Sequence, residues 1–303
     1  MASPARESAT DVRRITLDAD GITLSALLSE PVEAPPRAVV VALHGGGMNA
    51  DYFTGPAHPS LSLLSLGAAL GLTVLAVDRP GYRASAARLP AGLGVSEQAG
   101  LLRAALDDFA ARYETGAGFF LLAHSYGGKV ALVAAAEHPP QRLIGLDISG
   151  CGYAYAIDPG QVSKALERGW VPKSWGPLRL YPPGTFGAGR RLVEPMPHAE
   201  RAELTRWPGL FRATAPGVEA PVRLTFAEHE AFWRHDDVAL ADLTAWFTAA
   251  RHITVDRQSG AGHNISLGWA ARSYHLRAIA FLESCLVPHE ALPAAHADPD
   301  PRP

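Results

Sequence analysis

Short apolar runs alternate along this chain with stretches in which apolar residues recur every three or four positions. Residues 12–17 and 22–28 alternate apolar and polar side chains around Asp18-Ala19-Asp20-Gly21, the pattern of two half-buried strands joined as a hairpin. Residues 38–43, 73–77, 119–123, 143–148, 222–226 and 252–255 are short β-rich runs, most of them continuously apolar. Such runs suit strands covered on both faces, the condition of a parallel sheet. The segments between them read as helices. Ser96 is placed to cap one whose buried stripe is Leu102, Ala105, Leu106 and Phe109. Residues 126–138 form an Ala- and Val-rich helix that Pro139-Pro140 stops. The last helix aligns Ala271, Tyr274, Ala278, Phe281, Leu282 and Cys285 on one side, which makes Cys285 a core residue rather than a reactive one. This alternation predicts an α/β fold, a mostly parallel, doubly wound sheet with crossover helices.

Residues 152–217 break the rhythm. They hold nine prolines and a concentration of aromatics that includes Trp170, Trp175 and Trp207. A loop that long without its own structure is improbable, so an inserted, mainly helical cap is expected there, with a core of residues 12–151 and 218–287. Residues 1–11 and 288–303 are polar or proline-rich and carry too little apolar surface to offset their ordering entropy. Both are expected to be disordered.

Composition narrows the function. The chain has 303 residues, 48% hydrophobic and 19% charged, with 27 basic against 30 acidic residues and a net charge of -3. No basic stripe is present, so no nucleic-acid partner is expected. Two cysteines cannot form a disulfide framework or a thiolate zinc site, which suits a reducing compartment. The polar start lacks a signal-type apolar region, and no run approaches the ~18 apolar residues of a membrane span. A cytoplasmic protein without a membrane partner is the expectation. His229, His235, Asp236 and Asp237 are spaced too irregularly for a metal site, as are His289 and His296. Oligomeric state is not legible.

The chemistry is concentrated in three motifs. Phe119-Phe120-Leu121-Leu122-Ala123-His124-Ser125-Tyr126-Gly127-Gly128 runs from an apolar strand through a serine flanked at two positions by small residues into a helix. It resembles the nucleophile elbow, G-x-S-x-G, of the α/β-hydrolase family, with Ala123 in place of the first glycine. His44-Gly45-Gly46-Gly47, after the run ending at residue 43, resembles the oxyanion loop of esterases and lipases in that family. Gly260-Ala261-Gly262-His263-Asn264 stands between the last strand and the last helix, where the family carries its catalytic histidine. The resemblance covers about residues 12–286 and implies an eight-stranded α/β-hydrolase sheet with a cap inserted after the sixth strand.

The resemblance also implies roles. Ser125 would be the nucleophile and His263 its general base, with the N–H groups of Gly46 (or Gly47) and Tyr126 as oxyanion donors. The segment Ala227-Glu228-His229-Glu230 resembles the turn that carries the orienting acid. Glu230 matches the acid's position, Glu228 is the alternative, and Asp147 is a further candidate better suited to a structural role inside its strand. Asp78-Arg79-Pro80-Gly81-Tyr82 would shape the site. Gly47, Tyr82, Trp170 and Trp175 are candidates for substrate contact. The expected activity is hydrolysis of an ester, thioester or lactone with a small apolar or aromatic acyl part, needing no cofactor or metal. Non-hydrolytic chemistry on the same serine (acyl transfer, carbon–carbon cleavage or cyclisation) and a ligand-binding protein that has lost catalysis are the alternatives.

Overall fold

The computed structural model describes residues 11–167, 175–188 and 191–287. Eight strands form one sheet: β1 (Arg13–Ala19), β2 (Ile22–Ser29), β3 (Val39–Leu43), β4 (Thr73–Val77), β5 (Phe119–His124), β6 (Leu143–Ser149), β7 (Val222–His229) and β8 (Ile253–Gly262). Their spatial order is β1-β2-β4-β3-β5-β6-β7-β8. β1 and β2 form the hairpin and meet β4 antiparallel, while the remaining pairs are parallel. The expected sheet is the observed one.

Alternation along the central strands builds two cores. Val39, Val41 and Leu43 of β3, with Phe119, Leu121 and Ala123 of β5, join one cluster with α2 (Val95–Arg112) and α3 (Tyr126–Glu137). Val40, Ala42, Phe120 and Leu122 join the other, with α1 (Leu63–Ala69) and α9 (Ala271–Leu286). Strands buried on both faces have no polar side to show, which is why their sequences read as continuous apolar runs. The segment between β6 and β7 carries α4 (Pro159–Glu167), α5 (Thr185–Ala188), α6 (His198–Glu203) and α7 (Trp207–Thr214), and α8 (Asp237–Ala245) links β7 to β8. Among the described residues no helix is long and apolar enough to cross a membrane. The ends expected to be disordered lie outside the described residues, Asp11 excepted.

Several local expectations shift. Helix α2 starts one residue before Ser96, whose hydroxyl donates to Glu137 Oε2 at 2.7 Å, and the N-cap is Gly94, whose N–H donates to Glu97 Oε2 at 2.9 Å. Cys285 is only half-buried, and so is Phe281, because α9 turns Tyr274, Ala278 and Leu282 inward instead. Strand β8 runs seven residues past the apolar stretch that marked it, to Gly262. As the edge strand it exposes its outer positions, so Asp256 and Arg257 sit in it as ion-pair partners of Arg277 and Asp237. The extension brings Gly262 of β8 into register with His229 of β7.

One buried charge pair ties the sheet to α9. Asp147 on β6 faces Arg223 on β7 in register and pairs with it, and Tyr274 Oη donates to Asp147 Oδ1 at 2.8 Å. Asp147 is therefore the structural carboxylate the strand position suggested. Burial first, and the nearby Asp256 carboxylate after it, push its carboxyl up, while the Arg223 guanidinium and the Tyr274 hydroxyl oppose that push. Removing one partner leaves the other charge uncompensated. Arg223→Met is expected to lower unfolding free energy by about 3–5 kcal/mol, read as a fall in the urea midpoint at unchanged slope; a change within error would show the pair contributes nothing.

Candidate active site

The turn between β5 and α3 places Ser125 at φ 53° and ψ −116°, a left-handed conformation that costs a non-glycine residue about 1–3 kcal/mol. Surrounding contacts hold it there. The Ser125 N–H donates to Ser149 O at 2.8 Å, and Ser125 O accepts from the Gly128 N–H at 3.0 Å. A Cβ on Gly127 would lie 2.5 Å from Leu43 O and 2.6 Å from His44 O, so the position two after the serine excludes any side chain. Ala123, two before, is fully buried between β3 and β6, where the extra methyl fits.

Glu230 and His263 are each the next residue after the in-register pair His229 and Gly262, so two adjacent strand ends deliver them side by side. His263 Nδ1 is 2.8 Å from Glu230 Oε2, and His263 Nε2 is 3.1 Å from Ser125 Oγ. A carboxylate only accepts, so the ring proton belongs on Nδ1 and Nε2 is left to accept from the serine hydroxyl. The second Glu230 oxygen accepts the Phe232 N–H at 2.9 Å. Phe232 meets the His263 ring edge-on at 4.7 Å, and His124 lies 4.8 Å away on another side. Gly150, at φ 59°, completes the seat, because a Cβ there would come within 2.9 Å of His263 Cε1. Glu228 turns outward and accepts the Gly260 N–H at 2.7 Å. Of the three candidate carboxylates, Glu230 is the one beside the histidine.

The Gly45–Gly47 loop is held open by a buried arginine. Arg79 Nε donates to His44 O at 2.8 Å and Nη2 to Gly45 O at 3.1 Å, while its guanidinium pairs with Glu200 of α6. His44 Nε2 accepts the Arg79 N–H at 3.0 Å, and burial holds that imidazole well below its usual pKa, therefore neutral. Among the described residues neither the Gly46 N–H nor the Tyr126 N–H reaches an acceptor; both sit beside Ser125, the second at the positive end of α3. Gly47 differs. Its N–H donates to Tyr82 Oη at 2.9 Å, and Tyr82 Oη donates to Glu200 Oε2 at 2.8 Å.

A cavity of about 90 Å³ opens at Ser125, lined by Gly46, His263 and Asn264 on one side and by Met196 and Leu204 of the insertion on the other. Three of the expected substrate contacts sit elsewhere. Gly47 and Tyr82 are absent from the lining: the Gly47 N–H donates to Tyr82 Oη, and Tyr82 Oη in turn donates to Glu200. Trp175 packs instead on Tyr181 and Phe186, 5.3 and 4.9 Å between ring centroids. Trp170 lies outside the described residues. The cavity is lined instead by Tyr155, Phe232, Trp233 and Lys129, which nothing in the sequence distinguished from core residues. Asp236 caps α8 through the Ala239 N–H, and Asp237 pairs with Arg257.

Lys129, on α3, is 2% exposed. Desolvation pushes its ammonium pKa down from 10.5 to about 8, while Cys151, Glu203 and Glu200 pull it up and Arg79 pushes it down. Between those two values the unfolded chain binds more protons than the folded one, so stability rises with pH there. The penalty for burying the charge is full below pH 8 and relieved as pH climbs towards 10.5, by roughly 3 kcal/mol in all. The stability of Lys129→Met relative to wild type is therefore expected to fall steadily from pH 8 to pH 10.5 in urea titrations. A flat difference would place the pKa elsewhere.

Comparison with known proteins agrees with this architecture. The Alpha/beta hydrolase family pattern matches residues 40–301. No curated protein matches the sequence. Among solved structures, a soluble variant of the monoglyceride lipase of Saccharomyces cerevisiae superposes with a TM-score of 0.66 at 14% identity, over 95% of this chain and 100% of that one. The carboxylesterase CesB of Bacillus subtilis gives 0.61 at 16%, over 90% and 92%. A variant of AqdC, whose structure concerns recognition and ring-cleavage of the Pseudomonas quinolone signal, gives 0.66 at 17%, over 90% and 100%. At such identities these likenesses speak for the fold alone. The family match over most of the chain, on a sheet of this order, establishes that the protein belongs to the alpha/beta hydrolase family.

Proposed function

We propose that the protein is a serine hydrolase that forms an acyl ester on Ser125. The observation that carries this reading is the unbroken chain from Glu230 through His263 to Ser125 Oγ, 2.8 and 3.1 Å, at a cavity where two N–H groups have no acceptor among the described residues. His263 Nε2 takes the hydroxyl proton as Ser125 Oγ attacks the substrate carbonyl. The Gly46 and Tyr126 N–H groups stabilise the oxyanion, each typically worth ~3–4 kcal/mol in such sites. His263 returns the proton to the leaving group, and water then reverses the sequence to free the acid. Glu230 holds the imidazole tautomer and stabilises its charged form.

Residues 152–217 serve as a cap over a core of residues 12–151 and 218–287. The cavity beneath it, about 90 Å³, is smaller than the ~150 Å³ cavity that holds benzene in an engineered protein. With Met196, Leu204 and Phe232 in its wall, the site suits a small ester, thioester or lactone. A second reading, non-hydrolytic chemistry at the same serine, draws support from the similarity to a ring-cleaving enzyme. Turnover in oxygen-labelled water separates the two, since hydrolysis puts one solvent oxygen into the released acid.

Ser125→Ala is expected to abolish labelling by a fluorophosphonate probe and to lower kcat on a short ester and thioester panel by about 10⁴-fold or more. Glu230→Gln should lower kcat by ~10³–10⁴-fold, whereas Glu228→Gln stays within about threefold. Full turnover by Ser125→Ala, or equal losses for the two glutamates, would overturn the assignment.

A further inference from the structure

Lys129 is a buried ammonium with unused hydrogen-bonding capacity, set in the wall of the cavity that holds Ser125. It lies four residues after the serine, about 6 Å along the axis of α3. Helical side chains lean towards the N-terminus, so its stem points back to the serine's end of the helix. Four rings surround the ammonium: Trp207, Tyr126, Trp233 and Tyr155, with Nζ 5.1, 5.2, 5.6 and 5.9 Å from their centroids. Aromatic faces attract a cation and replace part of its lost hydration. They do not replace hydrogen-bond acceptors.

Among the described residues the ammonium makes one hydrogen bond, 3.3 Å to Tyr155 Oη, whose own proton goes to Leu204 O at 2.9 Å. An ammonium has three donors. The neighbouring carboxylates make their hydrogen bonds to other groups among the described residues. Glu203 accepts from Tyr126 Oη at 2.5 Å and from the Val95 N–H at 2.9 Å. Glu200 is taken by Arg79, Tyr82 and Gln98. A second donor points to the same kind of ligand: Asn264 Nδ2, also in the cavity wall, is buried without a partner among the described residues. A cavity offering spare donors and a cation that no carboxylate among the described residues reaches within ion-pair distance is complementary to a negatively charged ligand.

We propose that Lys129 anchors a carboxylate carried by the substrate, so that the site selects anionic esters, thioesters or lactones over neutral ones of the same shape. The hydrolytic step rests on the serine-hydrolase reading above, whereas the anion site stands on Lys129 and its surroundings. Lys129 is a specificity-determining residue, and the carboxylate it holds remains attached to the substrate throughout turnover.

The test compares mono-p-nitrophenyl glutarate with p-nitrophenyl pentanoate, in which a terminal methyl replaces the carboxylate, and uses the succinate and adipate homologues to cover reach. Wild type should favour the charged partner of at least one such pair in kcat/KM. In Lys129→Met, which keeps the side-chain volume, that preference should fall by about 10- to 100-fold, the worth of a hydrogen bond to a charged group. Because the ratio is taken within one preparation, incomplete folding of the variant cancels. Independently, tryptophan emission from Trp207 and Trp233 is titrated with succinate, glutarate and adipate. A saturable change is expected in wild type and in Ser125→Ala, and is lost in Lys129→Met. Lysine-dependent binding without turnover of any ester would sink the serine-hydrolase reading alone. Turnover with a charge preference indifferent to Lys129, or no saturable response to any of the three dicarboxylates, overturns the anion site.

Discussion

The arrangement depends on one tight turn. Ser125 occupies a left-handed conformation between β5 and α3, and that conformation persists only because the backbone around it leaves no other room. The carbonyls of Leu43 and His44 press on Gly127, while Ser149 O accepts the Ser125 N–H. The turn lifts the hydroxyl above the carboxyl ends of the strands and starts a helix directly behind it, so the helix's positive end and its first free N–H face the same point. Every other member of the site is placed relative to that point.

Strand length does the rest of the positioning. β7 and β8 end in register at His229 and Gly262, and the next residue of each is Glu230 or His263. The pairing of a carboxylate with an imidazole, separated by 33 residues in sequence, is thus a consequence of backbone hydrogen bonding between neighbouring parallel strands. Gly150 and Phe232 then fix the ring's orientation. On the opposite rim, the buried Arg79–Glu200 pair joins the core to the insertion. A charge pair with both partners buried is costly to break, so the loop of Gly45–Gly47 and helix α6 are held as one unit. Helix α6 is therefore anchored through the same arginine that bonds the carbonyls of His44 and Gly45.

Lys129 stands out against this background because, among the described residues, its buried charge has no carboxylate within ion-pair distance. Arg79 and Arg223 are each matched by a carboxylate, as buried charges generally are. The unmatched one lies in the wall of the space beside Ser125, where a ligand can supply what the protein omits.

Much of this was legible in the residues. Continuous apolar runs marked strands covered on both faces, and the small residues around Ser125, the glycines after His44 and those before His263 each encode a local backbone demand that few other side chains satisfy. Information of that kind is local, and the sequence carries it whole. Tertiary structure alone placed Glu230 and not Glu228 beside His263, because residues two apart share a face on a regular strand and these two part only where the β7–β8 register shifts and β7 ends. It moved Tyr82, Gly47 and Trp175 away from the cavity, since an aromatic side chain looks the same in sequence whether it lines a pocket or packs a neighbour. It also extended β8 through polar residues that only an edge strand exposes, and it brought Lys129 and Glu200 to places that no spacing could announce. Local constraints are written where they act; pairings between distant segments come into being only when the sheet closes around them.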